Sequence, residues 1–308
     1  MWRRVFSTVR VANTPSLKRS LGQHLLVNTS VLDAIVRASC LQPQDHVLEV
    51  GPGTGNLTLL LLQNAAKVTC VEYDHRMIAQ LHERFPDEIA MKKLVIIRDD
   101  FATFDMKTIE PIDMCVANIP YHISSPIVAK LLSQKIDLKL RASVLMVQEE
   151  FAQRLMATAG HKNYSRLSVN TAFQANVSSV VNVPKKNFVP PPKVDSRVIK
   201  IERKENQPNP STLAKMDTFL RIAFQRKNKT LRSQLTSKFA FPFFNSCLNE
   251  EERKNVILET LEQLELMDAR AVKLTSDQFL ILLKTMESKG LSFVQSSFHA
   301  FGEMLLDE

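Results

Sequence analysis

The tetrapeptide Asn118-Ile119-Pro120-Tyr121 follows the apolar run at residues 114–117 and precedes a stretch that can start a helix at Ser124 or Ser125. These residue types in this order suit one reaction, the activation of the exocyclic amine of adenine. The amine is a poor nucleophile because its lone pair is delocalised into the purine ring. A site that accepts both amine hydrogens lets the nitrogen approach tetrahedral geometry, with its lone pair aimed at an electrophilic methyl group. The side-chain oxygen of Asn118 and the backbone carbonyl of Ile119 can be those acceptors. Pro120 fixes the turn that aims them, and Tyr121 gives a flat face for stacking. No ionised general base is required, because the alkylated amine sheds its proton readily; alignment meets the remaining barrier. Read alone, the segment is better explained as a polar strand-to-helix turn, which Asn and Pro favour.

A second motif changes that balance. Glu49 to Gly55, EVGPGTG, also lies between an apolar strand and an apolar helix. Gly51, Gly53 and Gly55 permit a tight turn and let backbone amides approach a ligand. The dinucleotide fingerprint places its last glycine one residue further on, so this spacing suits a ligand with no pyrophosphate to cradle. Glu72 ends the next strand, 21 residues after Gly51, where a carboxylate accepts from both ribose hydroxyls. Asp100 follows the third strand and can accept from an adenine amino group, with Phe101 beside the base plane. Asp99 competes for that role, although Arg98 next to it suits a solvated ion pair better. Each acid alone reads as a cap or a surface charge. Together they favour S-adenosylmethionine over a hydride-transfer cofactor.

The elements that must position these groups alternate in period. Short apolar strands are expected at residues 46–50, 68–72, 94–97, 114–117 and 143–148. Helices are expected from a cap at residues 28–30 to about Cys40, from near Asn56, over residues 75–85 and from near Ser125. That alternation predicts an α/β fold with a doubly wound, mostly parallel sheet, which binds ligands at the carboxyl ends of its strands. Residues 203–212 break the pattern with Pro208 and Pro210. Beyond them only helical periods occur, at 213–224, 250–266 and 276–286. The expected organisation is a methyltransferase domain over 21–203, a linker over 204–212 and a small all-helical domain over 213–308.

Composition sets the class. The chain has 308 residues, 44% hydrophobic and 23% charged, enough for two soluble globular domains. No apolar run is long enough to span a bilayer, so no membrane partner is expected. The net charge of +8 favours a polyanionic partner. The four cysteines are scattered, with no zinc spacing; three lie in or beside apolar runs and read as buried hydrophobes, so no metal is expected. Residues 1–20 carry Arg3, Arg4, Arg10, Lys18 and Arg19 and no acid, the make-up of a mitochondrial or plastid transit peptide; a basic arm that holds RNA is the alternative.

GQHLL at 22–26, LEVGPGTGNLT at 48–58, the acid-tipped strands, ANIPYHISSP at 117–126 and NFVPPPKVDS at 187–196 occur in one order and spacing. The chain resembles the small-subunit ribosomal RNA adenine dimethyltransferases of the KsgA-like group, over roughly residues 21–291, and is most similar to their eukaryotic branch. The resemblance implies a Rossmann-like S-adenosylmethionine methyltransferase fold, with His24, Leu26, Gly51, Glu72, Asp100 and Asn118 lining the cofactor pocket. Bacterial members usually carry Asn where this chain has His24. It further implies that two adjacent adenosines near the 3′ end of small-subunit ribosomal RNA, free or in a pre-ribosomal small subunit, each receive two methyl groups from a monomeric enzyme. With residues 1–20, this suggests a mitochondrial location, with nucleus, nucleolus and plastid as alternatives. The residues after Leu291 lie outside the resemblance.

Two further features point to RNA. Pro190 to Pro192 form a stiff polyproline segment, and Phe188 at its start either stacks on the target base opposite Tyr121 or is buried as a plug. The run from Arg221 to Lys238 carries Arg221, Arg226, Lys227, Lys229 and Arg232, and no acid occurs between Asp217 and Glu250. These cations are expected to form one phosphate-contacting patch beside the active-site mouth. A non-catalytic mitochondrial transcription or ribosome-assembly factor on the same fold is the competing reading, and a DNA adenine methyltransferase is a third.

Overall fold

The computed structural model describes residues 24–133 and 140–295. The basic segment 1–20 lies outside the described residues. Two compact units divide the chain: residues through Ala152 with Val177–Arg203, and Gln153–Asn176 with the residues from Lys204 onward.

The first unit is built on a sheet. In chain order its elements are β1 (Leu25–Leu26), α1 (Thr29–Ser39), β2 (His46–Val50), α2 (Asn56–Asn64), β3 (Lys67–Glu72), α3 (His75–Arg84), α4 (Pro86–Ala90), β4 (Leu94–Arg98), β5 (Met114–Asn118), α5 (Ser124–Leu132), β6 (Ala142–Gln148), α6 (Glu149–Met156), β7 (Ala175–Val183), β8 (Phe188–Val189) and β9 (Ser196–Arg203). Seven strands form one sheet in the order β4-β3-β2-β5-β6-β9-β7. β2 pairs in parallel with β3 and β5, β3 with β4, and β5 with β6, while β9 runs antiparallel to β6. The Rossmann-like fold class and the five expected strands are therefore present, each within a residue of its expected bounds. β7 and β9 were not anticipated, because β7 alternates over a half-exposed surface and β9 lies beyond the prolines. Order matters for function: β4, β3, β2 and β5 are contiguous and parallel, so their carboxyl ends share one edge, with the chain reversing direction across the sheet at β2.

Local chemistry sets the helix bounds. Asn28 caps α1 by accepting from the Ser30 amide at 2.9 Å, and Asp74 caps α3 through the Arg76 amide at 3.0 Å. α1 ends at Cys40 in the left-handed region, which leaves that thiol exposed rather than buried as the apolar context suggested; Cys247 is also exposed. Gly55 opens α2 at φ +79, and a Cβ there would come within 2.6 Å of Phe85 and 2.8 Å of Leu81. Its bare backbone lets α2 start against the end of α3.

The amino ends of the strands are tied by a polar network. The Arg141 guanidinium donates twice to Asp45, both at 2.8 Å, and the His46 amide donates to Asp113 at 2.8 Å. The His46 ring bridges the Pro111 carbonyl and the Thr69 hydroxyl, at 3.0 and 2.7 Å. These bonds lock β2, β3, β5 and β6 in register at the edge opposite the Gly-rich turn.

The second unit is helical: α7 (Arg166–Gln174), α8 (Pro210–Ala223), α9 (Leu231–Leu235), α10 (Glu250–Gln263) and α11 (Ser276–Ser288), with a short ladder of β10 (Phe244–Asn245) and β11 (Ser292–Phe293). Its core stacks Phe219 on Phe293 at 5.0 Å and edge-on to Phe279 at 5.7 Å. Two sequence expectations are corrected here. Residues 153–176, expected in the first domain, pack with this unit: Tyr164 donates to the Leu274 carbonyl at 2.8 Å, and Asn170 to Asp217 at 2.9 Å. The expected 204–212 linker ends early, because Pro210 starts α8 rather than breaking it. Its missing N–H is one the first turn leaves unpaired, and Asn209 caps the helix.

Burial alone would raise the Asp45 carboxyl, but the Arg141 fork and the Gln42 amide outweigh it and hold the group below its ordinary range. A depressed carboxylate stabilises the fold above its unfolded pKa, and that contribution is lost as pH falls through the folded value. Asp45→Asn is therefore expected to cost about 1–3 kcal/mol near pH 7. The deficit should shrink in urea denaturation as pH is taken down through and below the ordinary aspartate range, where the parent carboxylate also takes up its proton.

Candidate active site

The four strand ends enclose a cavity of about 320 Å³ within the first unit. Of the residues singled out from sequence, His24, Leu26, Gly51, Gly53, Glu72, Asp100, Asn118, Ile119, Pro120 and Tyr121 all line it. Gly51 sits at φ +68, and a Cβ on it would lie 3.3 Å from Cδ of Pro120. The Gly-rich turn and the Asn-Ile-Pro-Tyr turn are thus in contact, and glycine is what lets them approach.

Acids on the wall are held by backbone donors. Glu72 is 8% exposed; one carboxylate oxygen accepts from the Gly53 amide at 3.2 Å and the other from the Asp74 amide at 2.9 Å. Burial pushes its pKa up, while those two amides favour the ionised form. Each oxygen keeps a further lone pair for a diol. Asp100 faces the cavity and accepts from the Ala102 amide at 2.9 Å, whereas Asp99 is exposed and spends its carboxylate on the Asp100 amide at 2.7 Å. Of the two acids, Asp100 is therefore the one that lines the cavity.

The turn from Asn118 to Tyr121 has free polar atoms at its start and fixed edges. Asn118 makes no side-chain hydrogen bond among the described residues. The Pro120 carbonyl accepts from the Ile123 amide at 3.2 Å and the Ser124 hydroxyl at 3.4 Å, leaving the Ile119 carbonyl clear of them. Tyr121 is anchored by a 2.5 Å hydrogen bond between its hydroxyl and Ser196, and its ring stacks on His24 at 6.0 Å. His24 is held in turn by the Pro190 carbonyl, 2.8 Å from Nδ1.

Three expectations are corrected. Gly55 faces Phe85 and Leu81 rather than the cavity. The Phe101 ring is buried at 2% exposure beside Phe104 and under the Lys130 ammonium, away from the cavity wall. Phe188 is also only 2% exposed and belongs to the core with Leu26, its partner in the β1–β8 ladder; it is the buried plug, not a free stacking face. In each case the side chain answers to a neighbouring helix or strand that sequence order does not reveal. The cations Arg221, Arg226, Lys227, Lys229 and Arg232 all project to solvent from the second unit. Buried Gln234 pins their loop by donating to the Ala223 and Arg226 carbonyls, at 3.3 and 2.9 Å.

Other site residues were missed. Lys130 of α5 donates to the carbonyls of Phe101, Ala102 and Phe104 at 2.6, 3.0 and 2.6 Å, fixing the loop that aims Asp100. Tyr73 and Asp74 line the cavity next to Glu72, a position the strand end itself could have suggested. Glu49, the first residue of the Gly-rich motif and given no role of its own from sequence, reaches the cavity wall at 1% exposure. It accepts from the Thr58 hydroxyl at 2.6 Å and the Cys70 thiol at 3.6 Å. Burial raises it to about 7 against those donors.

A carboxyl raised on folding stabilises the fold fully below its unfolded value, and that contribution is lost as pH rises through about 7. Thermal melts should therefore show the parent losing stability relative to Glu49→Gln between about pH 5 and pH 8. A constant difference across that window would assign the titration elsewhere.

The family model for ribosomal RNA adenine dimethylase matches residues 15–267. A dimethyladenosine transferase of Schizosaccharomyces pombe is 40% identical over 300 residues, covering 93% of this chain and 96% of that protein. A mitochondrial ribosomal RNA small-subunit methyltransferase of Arabidopsis thaliana is 48% identical over 222 residues, 72% of this chain and 57% of the plant protein. Among solved structures, a dimethyladenosine transferase from Plasmodium falciparum aligns with a TM-score of 0.77 and 35% identity, covering 88% of this chain and 100% of that one. With its fold, its strand-end motifs and most of its length matched, the chain belongs to the ribosomal RNA adenine dimethylase family.

Proposed function

We propose that this chain transfers methyl groups from S-adenosylmethionine to the exocyclic amines of two adjacent adenosines near the 3′ end of small-subunit ribosomal RNA, in mitochondria. The observation that carries the reading is the convergence of both motifs on one cavity, with Gly51 against Pro120. The donor set fits the cofactor: among the described residues Glu49, Glu72, Asp74 and Asp100 line the wall and no Lys or Arg does, which suits a cationic sulfonium ligand. Glu72 would take the ribose hydroxyls and Asp100 the adenine amino group, while the Gly51–Gly53 backbone admits the ligand closely. When bound, S-adenosylmethionine supplies an electrophilic methyl group.

The remaining chemistry is the protein's own. Asn118 and the Ile119 carbonyl accept the two amine hydrogens and so localise the nitrogen lone pair. Tyr121, fixed by Ser196 and His24, limits how the adenine can lie. The excess proton on the methylated nitrogen passes to water, so none of these groups needs to be an ionised base. The exposed cations from Arg221 to Arg232 supply phosphate contacts. The mitochondrial setting rests on the basic, acid-free residues 1–20 and on the name of the Arabidopsis relative.

Asn118→Ala should lower dimethyladenosine formation by at least about 100-fold. Calorimetry should still detect S-adenosylmethionine binding, only weakened. A parent protein that binds no S-adenosylmethionine in the same titration would favour the non-catalytic assembly-factor reading. Deleting residues 1–20 should move a fluorescently tagged chain out of mitochondria; unchanged localisation would overturn that part of the proposal.

A further inference from the structure

Beside Arg221, one of the cations given to phosphate contact above, the helical unit holds aromatic residues with no part in the methyl transfer. Its interior is already served by Phe219, Phe224, Phe244, Phe279 and Phe293, all buried. Phe239 is different: it is 39% exposed, on the turn that follows α9. It is also not an isolated apolar residue. Its ring lies 5.2 Å from Phe243, tilted by 49°, and the Arg221 guanidinium sits 5.4 Å from the Phe243 centroid. A cation, a half-buried ring and an exposed ring therefore form a row.

The backbone holds this row in place. The Ala240 amide bonds to the Ser237 carbonyl and the Phe243 amide to the Ala240 carbonyl, both at 3.0 Å, and the Phe243 carbonyl accepts from Val294 at 2.9 Å. Arg221 makes no ion pair among the described residues, so its charge is open. Lys238 and Arg253 instead lie within Coulombic range of Glu250 and are partly neutralised. No acid occurs between Asp217 and Glu250, and Arg226, Lys227, Lys229 and Arg232 of the same run face solvent. An exposed aromatic face in a unit that also presents unpaired cations complements a single-stranded nucleic acid, whose bases stack while its phosphates meet the charge.

We propose that Phe239, Phe243 and Arg221 form a stacking platform for an unpaired base of the RNA substrate, distinct from the base being methylated. The flanking phosphates fall to the exposed cations of the Arg221–Arg232 run. This rests on the reading that the protein acts on RNA, and deepens it by naming a second nucleotide contact. It also assigns the exposure of Phe239 a purpose: the ring stays outside the hydrophobic core because its free face is the binding surface.

The test uses the full chain and a labelled, unstructured oligoadenylate of about 12 nucleotides. Phe239→Leu keeps an apolar side chain but removes the aromatic face; it should bind the strand about tenfold more weakly, with the salt slope unchanged. Phe239→Trp should retain affinity. In a background carrying Trp2→Phe, which removes the chain's single natural tryptophan, the new indole should be quenched when the strand is added. Parent-like affinity in Phe239→Leu together with an unquenched indole would overturn the platform while leaving RNA binding intact. A parent protein with no salt-dependent affinity for the strand would overturn both. If Phe239→Leu binds naked RNA normally but no longer associates with small-subunit particles, the row serves a protein partner and the proposal fails.

Discussion

The structure depends on β2 lying between β3 and β5 in parallel register, with the carboxyl ends of all three strands level. A one-residue slip in either pairing would turn Glu72 or Asn118 to the other face of the sheet, because side chains alternate with a period of two. Register is enforced at the far edge, where Asp45, His46, Asp113 and Arg141 tie four strands together. At the near edge Gly51 packs against Pro120, where a Cβ would lie 3.3 Å from the proline ring and would also have to adopt a positive φ. The polar network is thus remote from the cavity and still fixes its geometry.

The cavity carries an electrostatic cost. Glu49 and Glu72 are both nearly excluded from water, and desolvation raises both. They are retained because donors are built around them: Thr58 and Cys70 for Glu49, the Gly53 and Asp74 amides for Glu72. Acids concentrated in a dry pocket are costly to the fold, and their negative charge suits a cationic ligand. Arg84 strengthens the same wall from outside, donating to the Thr54 carbonyl at 2.6 Å and to Asn56 at 3.0 Å.

The helical unit follows a different physical logic. Its aromatic core is closed by the β10–β11 ladder, and its charges are sorted along the chain. Acids cluster in the first turn of α10, where Glu250, Glu251 and Glu252 favour the helix dipole and Glu252 completes a capping box with Asn249. Arg226, Lys227 and Lys229 occupy the loop between α8 and α9, which reaches the core only through Phe224 at its start. The exposed cations alternate with the residues that build the core, as Arg221 does between buried Leu220 and Ile222.

Much of this was legible before any coordinates. The strands at 46–50 and 114–118 and their flanking turns are written in apolar runs and glycines, and Glu72, Asp100 and Asn118 follow from strand ends alone. The strand order was not, because nothing local says that β5 returns beside β2 rather than beyond β4. Nor could sequence show that Phe101, Phe188 and Gly55 face packed neighbours, or that residues 153–176 join the helical unit. Those outcomes are set by which distant surfaces meet. Glu49 is the clearest case: its residue type was always visible, but its proton affinity is created only when the sheet closes over it.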